Sequence, residues 1–379
     1  MKKKKVALFL LFITLLAMMF SLSASAKTQE EQLDELMDAA SVDGLLGSLD
    51  NETADLLAQL GLDGISLDKL LDISPHKVIS LIFDIITGKF SELLKYGFIL
   101  LAILILIALI DTFVDETQAS SAQFDSLYTI FFAVAVSVPL VSCISNVLSA
   151  IKLTTDFTLL LIPVFAGIIT ASGSPALALS YHSLAFSAAQ VISQGTSKYL
   201  SAFMGVNLSL CITGAINPLL KTQNIVTSIK RIFTVTLSLC GTLFVGLLSI
   251  KGLLAGATDS LTYKGTKFLI GTFIPVIGSS LGEGLASVLG SLSLLNTAVG
   301  VIGIIVIALI NLPVIIEVLI WWFILNLCAF AAGMLGKDTI ANLLSGLSGV
   351  IVMLNVLLIF TAFVFILSIG LTLGLKKTG

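Results

Sequence analysis

The chain has 379 residues, of which 57% are hydrophobic and only 11% charged, with a net charge of −3. Charge is dense from Lys27 to Lys95, 14 acidic and 5 basic side chains, whereas the far longer remainder after Lys95 carries only 20. An acidic head in front of a long apolar body excludes most soluble enzymes and makes transport, channel or scaffold roles the default.

Met1 to Ala26 reads as a secretory signal. Lys2 to Lys5 form a positive start, Val6 to Phe20 an apolar core, and Ala24-Ser25-Ala26 a small-residue cleavage site. The core is short for a bilayer crossing, which needs about 20 residues. Cleavage is therefore expected after Ala26, leaving Lys27 on the outer side of the membrane.

In the head, Leu33, Leu36, Met37 and Ala40 recur at helical spacing, and Leu56, Leu57 and Leu60 repeat the pattern. Asp43-Gly44, Leu60-Gly61 and Asp63-Gly64 predict turns. Ser74 before Pro75 is a helix start, with serine as cap and proline at the first helical position. The apolar stripe Val78, Ile79, Ile82, Ile85, Ile86 and Phe90 gives that helix a face fit for the membrane interface. The aspartate spacing lacks the run of a calcium loop. So small a head is expected to order against the body or a partner.

The body divides into apolar blocks. Spans are predicted at Tyr96–Val114, Ser126–Ala150, Phe157–Thr170, Ala176–Gln194, Tyr199–Leu220, Ile232–Ile250 and Val350–Leu373. A tight turn is predicted at Ser172-Gly173-Ser174-Pro175. Val299–Ala332 is too long for one crossing and is predicted to fold back at Asn311-Leu312-Pro313, near Glu317. The total is eight or nine crossings. With Lys27 outside, the loop from Lys221 to Arg231, the most basic in the body, falls inside, as the bias of lysine and arginine toward the cytoplasm requires. The segment Phe268–Leu295 is rich in glycine and serine and is expected to be re-entrant, which would place Lys376 and Lys377 inside as well. The stretch Asp115–Asp125 would also be cytoplasmic, yet it carries no positive charge.

Ile162-Pro163-Val164 recurs as Ile274-Pro275-Val276, and Lys152 and Lys264 are separated by the same offset. This echo suggests a repeat covering about 126–220 and 238–332, of the kind that marks functional paths in transporters. Gly271, Gly278, Gly282, Ala286 and Gly290 fall on one helical face, where the lack of side chain admits close helix packing or a gating surface. Gly252 with Gly256, and Gly370 with Gly374, have the same spacing. Pro275 and Glu283 adjoin the stripe. Glu283 and Glu317 are carboxylates in apolar surroundings, where charge is costly and calls for a water-facing, interior or interfacial position. An ion or proton relay is one role for them; for Glu317 a turn near the headgroups is the other. His182 reads as a packing residue, and Asp111 and Asp156 as span ends with no special role.

Catalytic motifs are missing from the sequence: two histidines, His76 and His182, lie far apart, and neither a metalloprotease nor a nucleophile-elbow or phosphate-loop pattern occurs. Cys143, Cys211, Cys240 and Cys328 are isolated, so no catalytic residue, metal site or cofactor is expected. No basic, aromatic surface points to nucleic acid. The fold class expected is all-α: a polytopic helical membrane protein with a small extracytoplasmic N-terminal helical region. Its parts are a signal (1–26), an acidic head (27–95) and a multi-span domain (96–379).

The stretch Lys264-x-x-Lys267-Phe-Leu-Ile-Gly-Thr-Phe-Ile-Pro-Val-Ile-Gly278, continuing to Leu289 through Glu283, resembles the stage III sporulation protein AE family, as does the whole layout of signal, acidic head and polytopic body. The resemblance implies a subunit of a multiprotein channel or secretion complex in the mother-cell membrane around the developing forespore. It implies partners as well: ring-forming subunits, an ATPase and a forespore protein that completes the link; apart from the resemblance, the apolar body makes membrane lipid a partner and leaves oligomerisation open. No enzymatic residue is carried over. Against this stand a stand-alone secondary transporter coupled through Glu283 and a scaffold that conducts nothing.

Overall fold

The computed structural model describes residues 44–62 apart from 46, together with 74–113, 118–196, 200–216, 222–273 and 278–377. Side chains of 118–123, 201, 222, 223, 263, 265–288 and 375–377 also lie outside this description. The signal, the cleavage site after Ala26 and the helix predicted at 30–40 therefore fall outside it.

Every regular element among the described residues is helical: α1 (Asn51–Gln59), α2 (Pro75–Asp111), α3 (Gln118–Ala171), α4 (Pro175–Gly195), α5 (Ser201–Ile216), α6 (Thr222–Phe273), α7 (Gly278–Met334) and α8 (Asp338–Lys377). Five of them, α2, α3, α6, α7 and α8, are long and apolar enough to cross a membrane. The chain is an all-α polytopic membrane protein. Its helices are longer than the sequence pattern suggested. The 57 residues of α7 extend about 85 Å at 1.5 Å per residue, well over the ~30 Å of bilayer hydrocarbon.

That length corrects the crossing count. The two spans predicted at 126–150 and 157–170 are one helix, α3, which runs through Pro139 and Pro163. The fold-back predicted at Asn311-Leu312-Pro313 does not occur, because α7 continues through Pro313. A proline removes one backbone donor, but in a packed apolar bundle neighbouring helices and polar side chains tolerate the break. Likewise the amphipathic stretch from Pro75 is not a separate interfacial helix: it continues unbroken through Lys95 into the first span. Its start is as expected, with Pro75 in the first turn and the Ser74 hydroxyl accepting from Lys77 N at 3.4 Å.

Of the turns read from sequence, Leu60-Gly61 and Ser172–Pro175 are present, Gly44 is helical instead, and Asp63-Gly64 lies outside the described residues. Gly61 has φ +83° and Gly173 φ +87°, and Gly336 forms a third such turn at φ +71°. At Gly173, Ser174 N donates to Ile169 O at 3.1 Å, and at Gly336, Lys337 N donates to Ala332 O at 2.9 Å. These bonds satisfy the last carbonyls of α3 and α7 and fold each chain back, in the left-handed conformation that glycine adopts without strain.

Side-chain pairings fix the directions. Residues 125, 146, 154 and 161 of α3 meet 337, 317, 311 and 303 in α7 or just past its end, so these helices are antiparallel in nearly constant register. Tyr96 and Asp111 of α2 meet Trp321 and Lys337, so α2 runs parallel to α7. α8 returns antiparallel to α7, with Asn326 bonded to Ser348 and a Cβ at Gly300 touching Leu373. α6 runs with α8: Gly241 lies under Phe360, while α4 brings together Asp259 of α6 (at Ala176 and Leu177) and Ser368 of α8 (at Tyr181). α4 and α5 together make one further column, with Cys211 beside Gly346. α1 lies against α7, burying Leu56 and Leu57, and Glu52 pairs with Lys89 at 3.6 Å.

One end of the bundle thus gathers the end of α2, the start of α3 and the α7–α8 turn, with the starts of α6 and α8. The other gathers the α3–α4 turn and the end of α8. The stretch predicted as a basic loop up to Arg231 is helical from Thr222, the start of α6, and without the expected fold-back in α7, Lys376 and Lys377 fall opposite it, not beside it. Cysteines placed in a chain cleared of its four natural ones check this arrangement with a membrane-impermeant maleimide. Thr112→Cys and Asn224→Cys should react from one side of the membrane, Ser174→Cys and Lys377→Cys from the other. Lys377→Cys reacting together with Asn224→Cys would contradict the fold.

Candidate functional site: a buried polar seam

Several of the buried threonines and Asn207 bond back to their own helix, but a smaller set of polar side chains meets across helix boundaries. The centre of the set is the seam between α3 and α7. Glu317 is 6% exposed and accepts from Asn146 Nδ2 at both carboxylate oxygens, 3.0 and 3.2 Å away. No ion-pair partner within 4.0 Å accompanies it among the described residues; the charges that act on it are Lys89, Glu92 and Glu52. Farther along the same seam, Asn311 donates to Thr154 Oγ1 at 2.8 Å and to Ile307 O at 2.7 Å. Between α7 and α8, Asn326 donates to Ser348 Oγ at 2.9 Å. Each of these contacts ties a neighbouring helix to α7 and fixes its rotation, because in an apolar surrounding a lost partner has no water to replace it.

A second cluster closes one end. Lys337, 8% exposed, bonds Asp111 at the end of α2 and reaches Asp125 near the start of α3 at 3.2 Å. Its ammonium also lies 5.6 Å from the ring centre of Tyr128. Burial by itself would lower the lysine pKa, but the bonds from Asp111 and Asp125 outweigh it and hold the ammonium above its ordinary value. Asp111, read from sequence as a span end without a role, is one leg of this staple. The signal was present only as complementary charges far apart along the chain.

A third feature was also missed. Asp259 of α6, 6% exposed, accepts from the backbone N–H groups of Ala176 (3.0 Å) and Leu177 (2.9 Å) at the start of α4. The local cap Ser174 makes no such bond. A carboxylate at a helix N-terminus satisfies orphan donors and opposes the helix dipole, here from another helix.

The glycine stripe fares differently. Gly271 lies in α6, and Gly278, Gly282, Glu283 and Ala286 in the first turns of α7; their side-chain surroundings, and Pro275, lie outside the described residues. Gly290 is described and exposed, and a Cβ there would meet nothing within 4 Å, so no helix approaches it closely. Gly256, Gly370 and Gly374 are equally open. The close approaches are elsewhere: a Cβ would come within 2.7 Å of Leu161 at Gly303, 2.8 Å of Leu373 at Gly300, 3.0 Å of Phe360 at Gly241 and 3.2 Å of Cys211 at Gly346. His182 is exposed and stacks on Phe186 at 5.9 Å. Among the described residues Cys143, Cys211 and Cys328 are buried and Cys240 exposed, all four free.

Two predictions separate these contacts from incidental packing. Glu317→Leu removes the acceptor that ties Asn146, itself exposed, to α7 and should cost about 1 kcal/mol, read as a lower melting temperature in detergent. Glu317→Gln keeps an oxygen acceptor and should lose distinctly less, so equal losses would dismiss the seam. For Lys337→Met the expected loss is about 1 kcal/mol, because Asp111 and Asp125 are 41% and 49% exposed and solvent screens the pair. Since the folded lysine pKa is raised, the staple is fully present below the unfolded value of about 10.4 and is lost as pH rises through the folded value. The deficit of Lys337→Met against the natural chain should hence stay constant from about pH 6 to pH 9 and shrink only in stronger alkali; a change across the neutral range would refute the assignment.

A model of the family described as Stage III sporulation protein AE matches residues 65–375. The Stage III sporulation protein AE of Bacillus subtilis (strain 168) is 24% identical over 302 residues, covering 78% of this chain and 75% of that protein. No solved structure matches. With most of its length inside the family model, the chain belongs to the Stage III sporulation protein AE family.

Proposed function

We propose that this chain is a non-enzymatic, multi-pass membrane subunit of a multiprotein channel or secretion complex that links mother cell and forespore during sporulation. The family gives a role in sporulation, and the five long apolar helices make the chain a membrane protein. In the finer reading it sits in the mother-cell membrane with its acidic head outside, where ring-forming subunits dock, and an associated ATPase supplies the energy.

The observation that supports a fixed subunit is the use to which buried polar groups are put. Buried Glu317, Asn311, Lys337 and Asp259 bond across helix boundaries, and exposed Asn326 adds a further cross-link to buried Ser348. A carrier that moves between two states needs polar partners that exchange. These partners hold register, which suits a platform on which other subunits assemble. The apolar surface of α6 supports the same view: only 6% of its most apolar window is buried within the chain, against 67% for α7.

Affinity isolation of the tagged chain from sporulating cells tests the proposal. An ATPase and ring-forming subunits should co-purify, and Glu317→Leu should recover less of them than Glu317→Gln. Recovery as a stable oligomer of this chain alone would overturn the reading.

A further inference from the structure

The antiparallel pair α4–α6 leaves a groove of about 560 Å³, lined by Leu179, Ser180, Ser183, Lys251, Leu254 and Thr258 over a floor of alanines. Most of its wall is apolar, but it holds one full positive charge, and Lys251 has no ion-pair partner within 4.0 Å among the described residues. The nearest carboxylate along α6, Asp259, lies about 12 Å farther along the axis, and both its oxygens are taken by the start of α4. Ser183 donates its hydroxyl proton to Ser180 O at 3.1 Å, and Thr258 donates to Leu254 O at 3.0 Å. Both therefore face the groove as acceptors, which leaves Ser180 as its hydroxyl donor. On α6 the uncharged run Ile232–Ile250 is bounded by Arg231 and Lys251, a length of about 28 Å that matches bilayer hydrocarbon. Lys251 accordingly sits at headgroup depth on this helix. Apolar side chains flank it, with Leu179 70% and Leu254 66% exposed.

We propose that this groove binds an anionic glycerophospholipid. The headgroup phosphate pairs with Lys251 and accepts from Ser180, headgroup hydroxyls donate to Ser183 and Thr258, the glycerol backbone lies against Leu179 and Leu254, and the acyl chains run into the hydrocarbon along exposed Ile250, Leu247 and Leu243 of α6. A cation and hydroxyls set between membrane helices are the chemistry that selects an anionic lipid over a zwitterionic one, and the cavity has the size of a ligand pocket. A zwitterionic headgroup would bring its own cation next to Lys251. A free inorganic phosphate would leave the apolar wall unused.

Native mass spectrometry of the full chain in detergent, supplied with equal phosphatidylglycerol and phosphatidylcholine, reads the selection directly. The natural chain should retain phosphatidylglycerol preferentially, and an excess of inorganic phosphate should not displace it. Lys251→Gln should cut retention about fivefold, the worth of one lysine near a lipid surface, and Lys251→Arg should keep it. Ser183→Leu fills the groove without touching the charge and should also abolish retention, so it carries the test if Lys251→Gln does not fold. Lys152→Gln removes an exposed lysine of α3 outside the groove and should change nothing. Equal retention of both lipids, displacement by phosphate, unchanged retention in Lys251→Gln or Ser183→Leu, or an equal loss in Lys152→Gln would each overturn the proposal.

Discussion

The close packing of α7 is what the other columns depend on. In lipid an exposed leucine costs nothing, so helices associate through shape and polar pairs and not through hydrophobic exclusion. α7 supplies both. Gly300 and Gly303 let α8 and α3 approach to where a Cβ would collide with Leu373 and Leu161. Trp321, 1% exposed, lies tilted against Tyr96 of α2 with ring centres 5.9 Å apart, and Ile324 fills the space above Gly97. Between these apolar contacts sit Glu317, Asn311 and Asn326, each bonded to a neighbouring column. Packing sets how close the columns come, and the polar pairs set which way each is turned.

The polar pairs have meaning only in that dry context. The Asn311–Thr154 bond on a water-exposed surface would exchange freely with solvent and contribute little. Within the seam, where Asn311 is 1% exposed, the alternative to pairing is an unsatisfied buried amide, which costs more than the bond is worth. The same reasoning applies to Asp259, which satisfies two backbone donors that Ser174 leaves open. Its carboxylate places the beginning of α4 against α6 at a fixed depth, and that placement shapes the groove around Lys251.

Local signals were legible in the sequence, and long-range ones were not. Ser74-Pro75, Leu60-Gly61 and Ser172-Gly173-Ser174 marked a helix start and two turns correctly, because caps and left-handed glycines act over a single turn of chain. The turn at Gly336, with the same geometry, went unread. Apolar length gave the membrane class. The same length misled at Asn311-Leu312-Pro313, since a rule of about 20 residues per crossing takes any polar residue with a proline in a long run as a break. Here Asn311 is bonded sideways to Thr154 and to its own helix at Ile307, so the helix continues. The glycine stripe failed for a related reason. Spacing shows that Gly290 shares a face with Gly282, but not that another helix lies on that face, and at Gly290 none does.

Charge, too, must be counted in space and not along the chain. The stretch Asp115–Asp125 has no basic residue of its own, which by loop counting argues against a cytoplasmic position. Folding brings Lys337 to that end from the α7–α8 turn, where it pairs with Asp111 and Asp125. The starts of α6 and α8 lie at the same end, so Lys230 and Arg231 stand on the side where the apparent deficit occurred. Basic residues therefore stand at both ends, Lys230, Arg231 and Lys337 at one and Lys376 and Lys377 at the other, because the loss of one predicted fold-back in α7 moves the last two across. The lysine and arginine bias read along the sequence does not survive the fold. A single uninterrupted helix, carried through Pro313 by its neighbours, therefore reverses the side assigned to everything that follows it.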